Sequence, residues 1–514
     1  MLYLNTKSYI QNVIPVIFAS FNLYCCVALA NESNLADAVE SQDYQVIGRL
    51  LDRRAEVNLP QVDGMTALHW AVYHDDFELV RKLLSAGANA NAENRYGILP
   101  LSLAAINANN EMVELLISGG AEVNRTMAGG ETILMIASRT GNGGAVNALL
   151  SAGADPNAED EKEQTALMWA AAEGHKKVVE VLIGAGADIN HILGSGFTPL
   201  FFAVREGNID VSLTLIEAGA DINAVLSRQT ERTQRAGNNA SEQAVNQGLS
   251  PLLLAVRNGH FELAIELVKN GADPNDMRSG FTPLHTMSWV RKPDSSDRGD
   301  PSPLGSGGVS ALEFVKEIVE LGADVNLPLN EGAPRQPNSA SRVESGGSTA
   351  FLFAADRADV PLMKALLDLG ANPFWTNLNS TTPLMAAAGL GTAAPEEEAG
   401  TEEEAIEATK LLIELGADVN AINERNETPM HGAAMGMFPR VATLLAESGA
   451  DPVRWNVKNY RGWTPLFIAE GYRYGLPRPS RPTIEVISNL MNDAGLTTEG
   501  ERPEVIDIYE ATPD

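Results

Sequence analysis

Histidine has the widest catalytic and metal-binding use of any side chain, and the chain has seven. Three of them, His69, His285 and His431, take the fourth place of one recurring string. Its copies are Thr66-Ala67-Leu68-His69, Thr282-Pro283-Leu284-His285 and Thr428-Pro429-Met430-His431. His175 and His260 each follow a glycine, in Glu-Gly-His and Asn-Gly-His. A residue tied to the same place in repeated strings reads as part of a scaffold. His74 and His191 remain, 117 residues apart, which is no metal-ligand spacing. The sequence holds no His-Glu-x-x-His, no Cys-x-x-Cys and no Gly-x-Ser-x-Gly. Gly129-Gly130 and Gly143-Gly144 lack the lysine that would make a phosphate-cradling loop. The run Glu159-Asp160-Glu161-Lys162-Glu163 lacks the alternating oxygens and central glycine of a calcium loop, so it reads as a solvated hairpin tip. Asp294, Asp297 and Asp300 would be the acids of an enzyme, but no nucleophile–base pair accompanies them. No cofactor and no metal are expected.

The elements that position these residues are set by a repeat. The string Gly-Ala-Asp/Asn/Glu-x-Asn recurs, with its last Asn at Asn91, Asn124, Asn157, Asn190 and Asn223, after a partial copy ending at Asn58; each step is 33 residues. It continues at Asn275, Asn326 and Asn420, with degraded copies ending at Phe374 and Val453. The Thr-Pro-Leu-like string leads it by 25 residues, as at Thr66, Thr132, Thr165 and Thr198. Thr66 can cap the early amides of a helix, and proline in the next place costs nothing at the first helical position. Leu68 and Ala71 share one side of that short helix, and Val80, Leu83 and Leu84 stripe a second. Gly87 supplies the left-handed residue that ends it. No single unit buries both faces, so neighbours must stack.

This pattern resembles the ankyrin repeat family in its period, its T-P-L-H-like start and its G-A-D-x-N end. The resemblance covers about 460 of 514 residues and implies an all-α solenoid of about 11–12 stacked helix-turn-helix units over residues 31–492, with hairpin loops and partial terminal copies as caps. It also implies that the histidines of the repeated strings orient backbone turns by hydrogen bonds. Spacing locates insertions near 227–247, 292–308, 330–346 and 392–404. The last contains Glu396-Glu397-Glu398 and Glu402-Glu403-Glu404, read as a solvated loop and helix start, or as a dock for a basic partner. Pro, Gly, Ser and acidic content fits these segments to mobile loops. Residues 493–514 read as an acidic tail.

Lys and Arg number 37 against 67 Asp and Glu, a net charge of −30. Such a field repels nucleic acid and anionic lipid. The only cysteines, Cys25 and Cys26, lie in a segment with one charge, Lys7, an apolar stretch from Val13 to Leu29, and Ala28-Leu29-Ala30. That pattern reads as a signal peptide over residues 1–30, or as an uncleaved anchor. Export to the periplasm or cell exterior is expected, with no membrane contact after cleavage and a monomeric mature chain.

Trp70, Trp169, Phe202 and Phe353 each sit four residues after their Thr, a place the resemblance makes core. Surface candidates come from two other phases. The residue before the Thr lies on the hairpin finger and is Met65, Ile98, Phe197, Leu249, Phe281 or Trp463. These apolar residues either meet a partner or pack on neighbouring fingers. The seventh and eighth residues after the Thr line the concave helix face: Tyr73, His74, Arg139, Arg205, Glu206, Arg257 and Asn258. In the family both places contact partners. Arg139, Arg205 and Arg257 share one phase and would form a positive row for an acidic segment, unless acids such as Glu206 or Glu173 pair with them. The function read here is a non-catalytic protein-binding scaffold; the alternatives are an envelope spacer or an enzyme with chemistry in the inserted loops.

Overall fold

The computed structural model describes residues 34–53, 55–226, 248–294, 302–336, 339, 341–473 and 478–502. The expected signal segment, the 227–247 insertion and most of the acidic tail lie outside the described residues. Within them the chain is all-α: 25 helices form twelve antiparallel pairs, from Leu35–Glu40 with Tyr44–Asp52 to Pro465–Ala469 with Arg481–Asp493, plus the single turn Pro452–Trp455. First helices pack on first helices and second on second, each on its neighbours in the stack. No described helix is long and apolar enough to cross a membrane.

Each unit is closed by its own polar residues. The Thr132 hydroxyl accepts from the Met135 amide (3.2 Å), and the Thr382 hydroxyl accepts from Met385 (3.1 Å). One unit has Leu99 in that place, and Ser102 substitutes by bonding both the amide and the carbonyl of Leu99 (3.1 and 2.7 Å). Gly186, at φ +88°, turns the chain out of the helix Lys176–Gly184 in a conformation that a side chain would strain.

The repeated asparagine joins one unit to the next. Asn58 donates to the carbonyl of Gly87 (3.0 Å), and its side-chain oxygen accepts from the Asn89 amide (2.7 Å). The same two bonds recur at Asn91, Asn124, Asn157 and Asn190. They recur again at Asn223, Asn275, Asn326 and Asn420. Each side chain satisfies a carbonyl and an amide that end a helix, which explains why Asn and not Asp holds the place. Phe374 and Val453 replace it and are 50 and 69 % exposed.

The apolar faces merge into one continuous core from Leu35 to Met491. A smaller cluster lies beside it, where Leu329, just before the 330–346 region, and Val343 within it cover Phe281, Leu352, Phe353 and Ala386. The described parts of the three later insertions are tied to the stack. Ser306 bonds the His260 ring (2.8 Å), the Arg342 amide donates to Gly391 (2.8 Å), and the Ala399 amide donates to Asp294 (3.2 Å).

Candidate functional site

The histidines of the repeated strings are almost fully buried. The Thr66 and Thr428 amides donate to Nδ1 of His69 and His431 (3.2 and 3.1 Å). Each Nε2 then donates to a carbonyl of the next finger, Ile98 or Val457 (both 3.1 Å). An amide can only donate and a carbonyl only accept, so these rings are neutral with the proton on Nε2. His285 repeats the arrangement with the Thr282 hydroxyl and the Ser348 carbonyl. His175 and His260 hold the carbonyls of Arg139 and Arg205 (both 3.0 Å), and His74 and His191 hold those of Glu40 and Glu163 (3.1 and 2.9 Å). All seven thus bond backbone carbonyls, and no group of three metal-ligating side chains assembles among the described residues.

Burial drives His431 down to about 4. Its neutral ring stabilises the fold above pH 6.5, and that contribution is lost as pH falls from 6.5 through about 4. Relative to His431→Gln, the wild type should lose about 3 kcal/mol between pH 7 and pH 4. Amide exchange of residues 428–436 in both chains checks this; a pH-independent gap would show that the ring does not titrate.

The finger row differs from an exposed apolar surface. Met65, Leu249, Phe281 and Trp463 are buried, at 7, 3, 5 and 6 % exposure, while Ile98 and Phe197 are half-buried. Phe281 is therefore not presented to a partner: the 330–346 insertion closes over it, and Trp289 packs on its edge (4.9 Å between centroids). Trp463 is covered in turn, with the Arg461 guanidinium over its ring (5.5 Å). Trp70, Phe202 and Phe353 are core, and Trp169 is half-buried.

The helix-end row remains at the surface. Tyr73, 39 % exposed, meets Trp70 and His74 edge-on. Arg139 pairs with Glu131 (2.6 Å), not Glu173, and lies over the Trp169 ring of the next unit (5.0 Å). Arg205 pairs with Glu206 (2.8 Å) and lies over Phe202 (5.0 Å) and Phe197 (5.9 Å). Arg257 is half-buried at the same phase. Local acids thus neutralise Arg139 and Arg205, leaving flat guanidinium-on-ring surfaces in place of a bare positive row.

Sequence reasoning missed a second polar centre, because no spacing signals it. Arg357, 2 % exposed, donates to Asp294 (2.9 Å), to the Lys292 carbonyl (2.6 Å) and to Gln336 (3.0 Å). Asp356 accepts from Gln336 (3.2 Å) and Ser341 (3.1 Å), and burial pushes it up to about 6. Glu398 accepts from the Ala393 and Ala394 amides (2.6 and 2.8 Å) and is pushed up to about 7, again by burial first. Three insertions far apart in sequence meet here, and Asp294 is held in an ion pair.

The model for ankyrin repeats in three copies matches residues 35–127 and 134–225, and that for the single ankyrin repeat matches 247–278. Human ankyrin repeat and SOCS box protein 16 is 31 % identical over 238 residues, covering 43 % of this chain and 47 % of that protein. An armadillo (Dasypus novemcinctus) ankyrin repeat, SAM and basic leucine zipper domain-containing protein 1 is 36 % identical over 105 residues, 20 % of each chain. An intracellular phospholipase A2 of Caenorhabditis elegans is 27 % identical over 222 residues, 40 % of this chain and 18 % of that one. The chain spans less than half the length of each of these relatives. With the same pairs, caps and asparagine bonds running on beyond the matched segments to Asn420, the chain belongs to the ankyrin repeat family.

Proposed function

We propose that this chain is an exported, non-catalytic scaffold that binds a protein partner across the helix-end row, the concave face of the ankyrin family. Ankyrin repeats themselves support a protein-interaction scaffold. The observation that carries the finer reading is the recurrence, at one phase, of arginine laid over an aromatic ring: Arg139 over Trp169 of the next unit, and Arg205 over Phe202 of its own helix and Phe197 of the finger before it. Arginine and aromatic side chains dominate interface energetics, and here both are held in place before binding. Because Glu131 and Glu206 offset the charge, the partner is recognised by planar apolar and hydrogen-bonding groups more than by acidic attraction. Tyr73 and His74 extend the same surface at the N-terminal end, and Phe197 borders it. The phospholipase relative is matched over only 18 % of its length, and Asp294 is committed to Arg357, so the proposal contains no reaction.

Export rests on Lys7, the apolar stretch and Ala28-Leu29-Ala30. Sequencing the mature protein should find a start at or near Asn31; Met1 on a soluble cytoplasmic protein would rule export out. The binding face is tested by replacing Arg139, Arg205 and Arg257 together with alanine. The fold should persist by circular dichroism, and affinity for the captured, purified partner should drop at least about tenfold with little salt dependence. Unchanged affinity would leave the face without a binding role, as a spacer would require.

A further inference from the structure

The strongest unassigned feature is a cleft of about 160 Å³ on the finger side, formed where the 330–346 insertion leans over two later fingers. Across the chain acids outnumber bases 67 to 37. Around this cleft the balance is reversed. Arg335 and Arg342 come from the insertion, Arg425 from one finger and Arg461 from the next, against the single carboxylate of Glu344. Glu344 lies 3.8 Å from Arg425, and the Glu427 carboxylate in the adjoining floor interacts with Arg425 and Arg461, so arginines outnumber these carboxylates four to two. Arg335 is exposed and has no ion pair among the described residues.

The site is built rather than incidental. Arg425 and Arg461 both lie against the Tyr460 ring, at 5.5 and 5.4 Å, which fixes the planes of their guanidinium groups. The fingers carrying them are joined by the Tyr460 amide, which donates to the Arg425 carbonyl (2.9 Å). The insertion is anchored from below by Val343, which packs into the small apolar cluster, and by Asn377, which donates to the Glu344 carbonyl (3.0 Å). Ser345 completes the wall. It is 3 % exposed, and its hydroxyl has no hydrogen-bond partner among the described residues. Deeper acid is already used: Glu427, in the adjoining floor, takes bonds from Asn423 and Asn459.

We infer that this cleft binds a compact multivalent oxyanion of the phosphate type, held by the guanidinium forks of Arg342, Arg425 and Arg461 with Arg335 at the mouth. Planar forks set around one small space suit the several oxygens of a phosphate better than the two of one carboxylate. An anion there would bridge three chain segments, the insertion and two fingers, so binding also stabilises the stack locally. The site is separate from the helix-end row, and its failure would leave the protein-binding proposal untouched.

The test is calorimetric titration of the full chain with pyrophosphate, inorganic phosphate and citrate at fixed ionic strength. Pyrophosphate should bind saturably with one site and raise the melting temperature. Citrate, matched for charge, should bind at least about tenfold more weakly. Arg342→Ala with Arg461→Ala should weaken pyrophosphate at least about tenfold, while Arg81→Ala, on a distant second helix, should not change it. Arg335→Glu, an exposed change that the fold tolerates, should weaken it several-fold and guards against misfolding of the double variant. A peptide carrying one phosphoserine separates the sources: tighter binding than pyrophosphate assigns the phosphate to a protein segment, weaker binding to a small molecule. No saturable binding, an equal response to citrate, or binding indifferent to all the arginine variants would overturn the inference.

Discussion

Arg357→Ala should destabilise the second half of the stack by about 3–5 kcal/mol, the cost of leaving a buried carboxylate without its partner. Arg357 and Asp294 are both almost fully buried and 2.9 Å apart. The same guanidinium holds the Lys292 carbonyl and Gln336, so its loss also releases two insertions from the helix Ala350–Asp356. Replacing both partners with apolar residues, Arg357→Met with Asp294→Leu, should recover most of the loss, because no uncompensated charge remains. Urea unfolding of the two singles and the double measures this coupling. Additive losses would show that the pair does not hold the insertions together.

Leu182→Ala should cost about 2–5 kcal/mol. Leu182 has no exposed surface and sits in the second helix Lys176–Gly184, packed between the second helices of both neighbouring units. The cavity cannot be filled from elsewhere, since contacts run only between neighbours along the stack. For the same reason unfolding should become multi-step, with the units around residues 166–184 exchanging their amides first. A loss below about half a kcal/mol in denaturant titration would show that the stripe does not face the inter-unit core.

The sequence made the unit legible because its signals are local. Thr66, Gly87 and Asn91 each act within one repeat or on the next, so a fixed period exposes them. The period located the asparagines, but not their task, since both partners of Asn58 lie some 30 residues on. What stayed hidden depends on contacts without period. Asp294 and Ala399 are 105 residues apart, and Arg342 meets Gly391. Polar and glycine-rich composition described these insertions as loops, yet the described parts fold onto the stack through such bonds. Their packing also decided the fate of Phe281, whose phase alone suggested a finger surface. Arg139 pairs with an acid that phase did not offer: Glu131 precedes the string from which phase was counted.

The central claim is that a protein partner lies on the helix-end row. Site-specific photo-crosslinking of the whole chain to its purified partner tests it most directly. A photoreactive residue would be placed in turn at Tyr73 and Arg257 on that row, and at Arg81 and Lys316 on exposed second helices. Adducts from Tyr73 and Arg257, with none from Arg81 or Lys316, are the predicted result. Adducts from Arg81 and Lys316 alone would contradict it and place the partner on the opposite face.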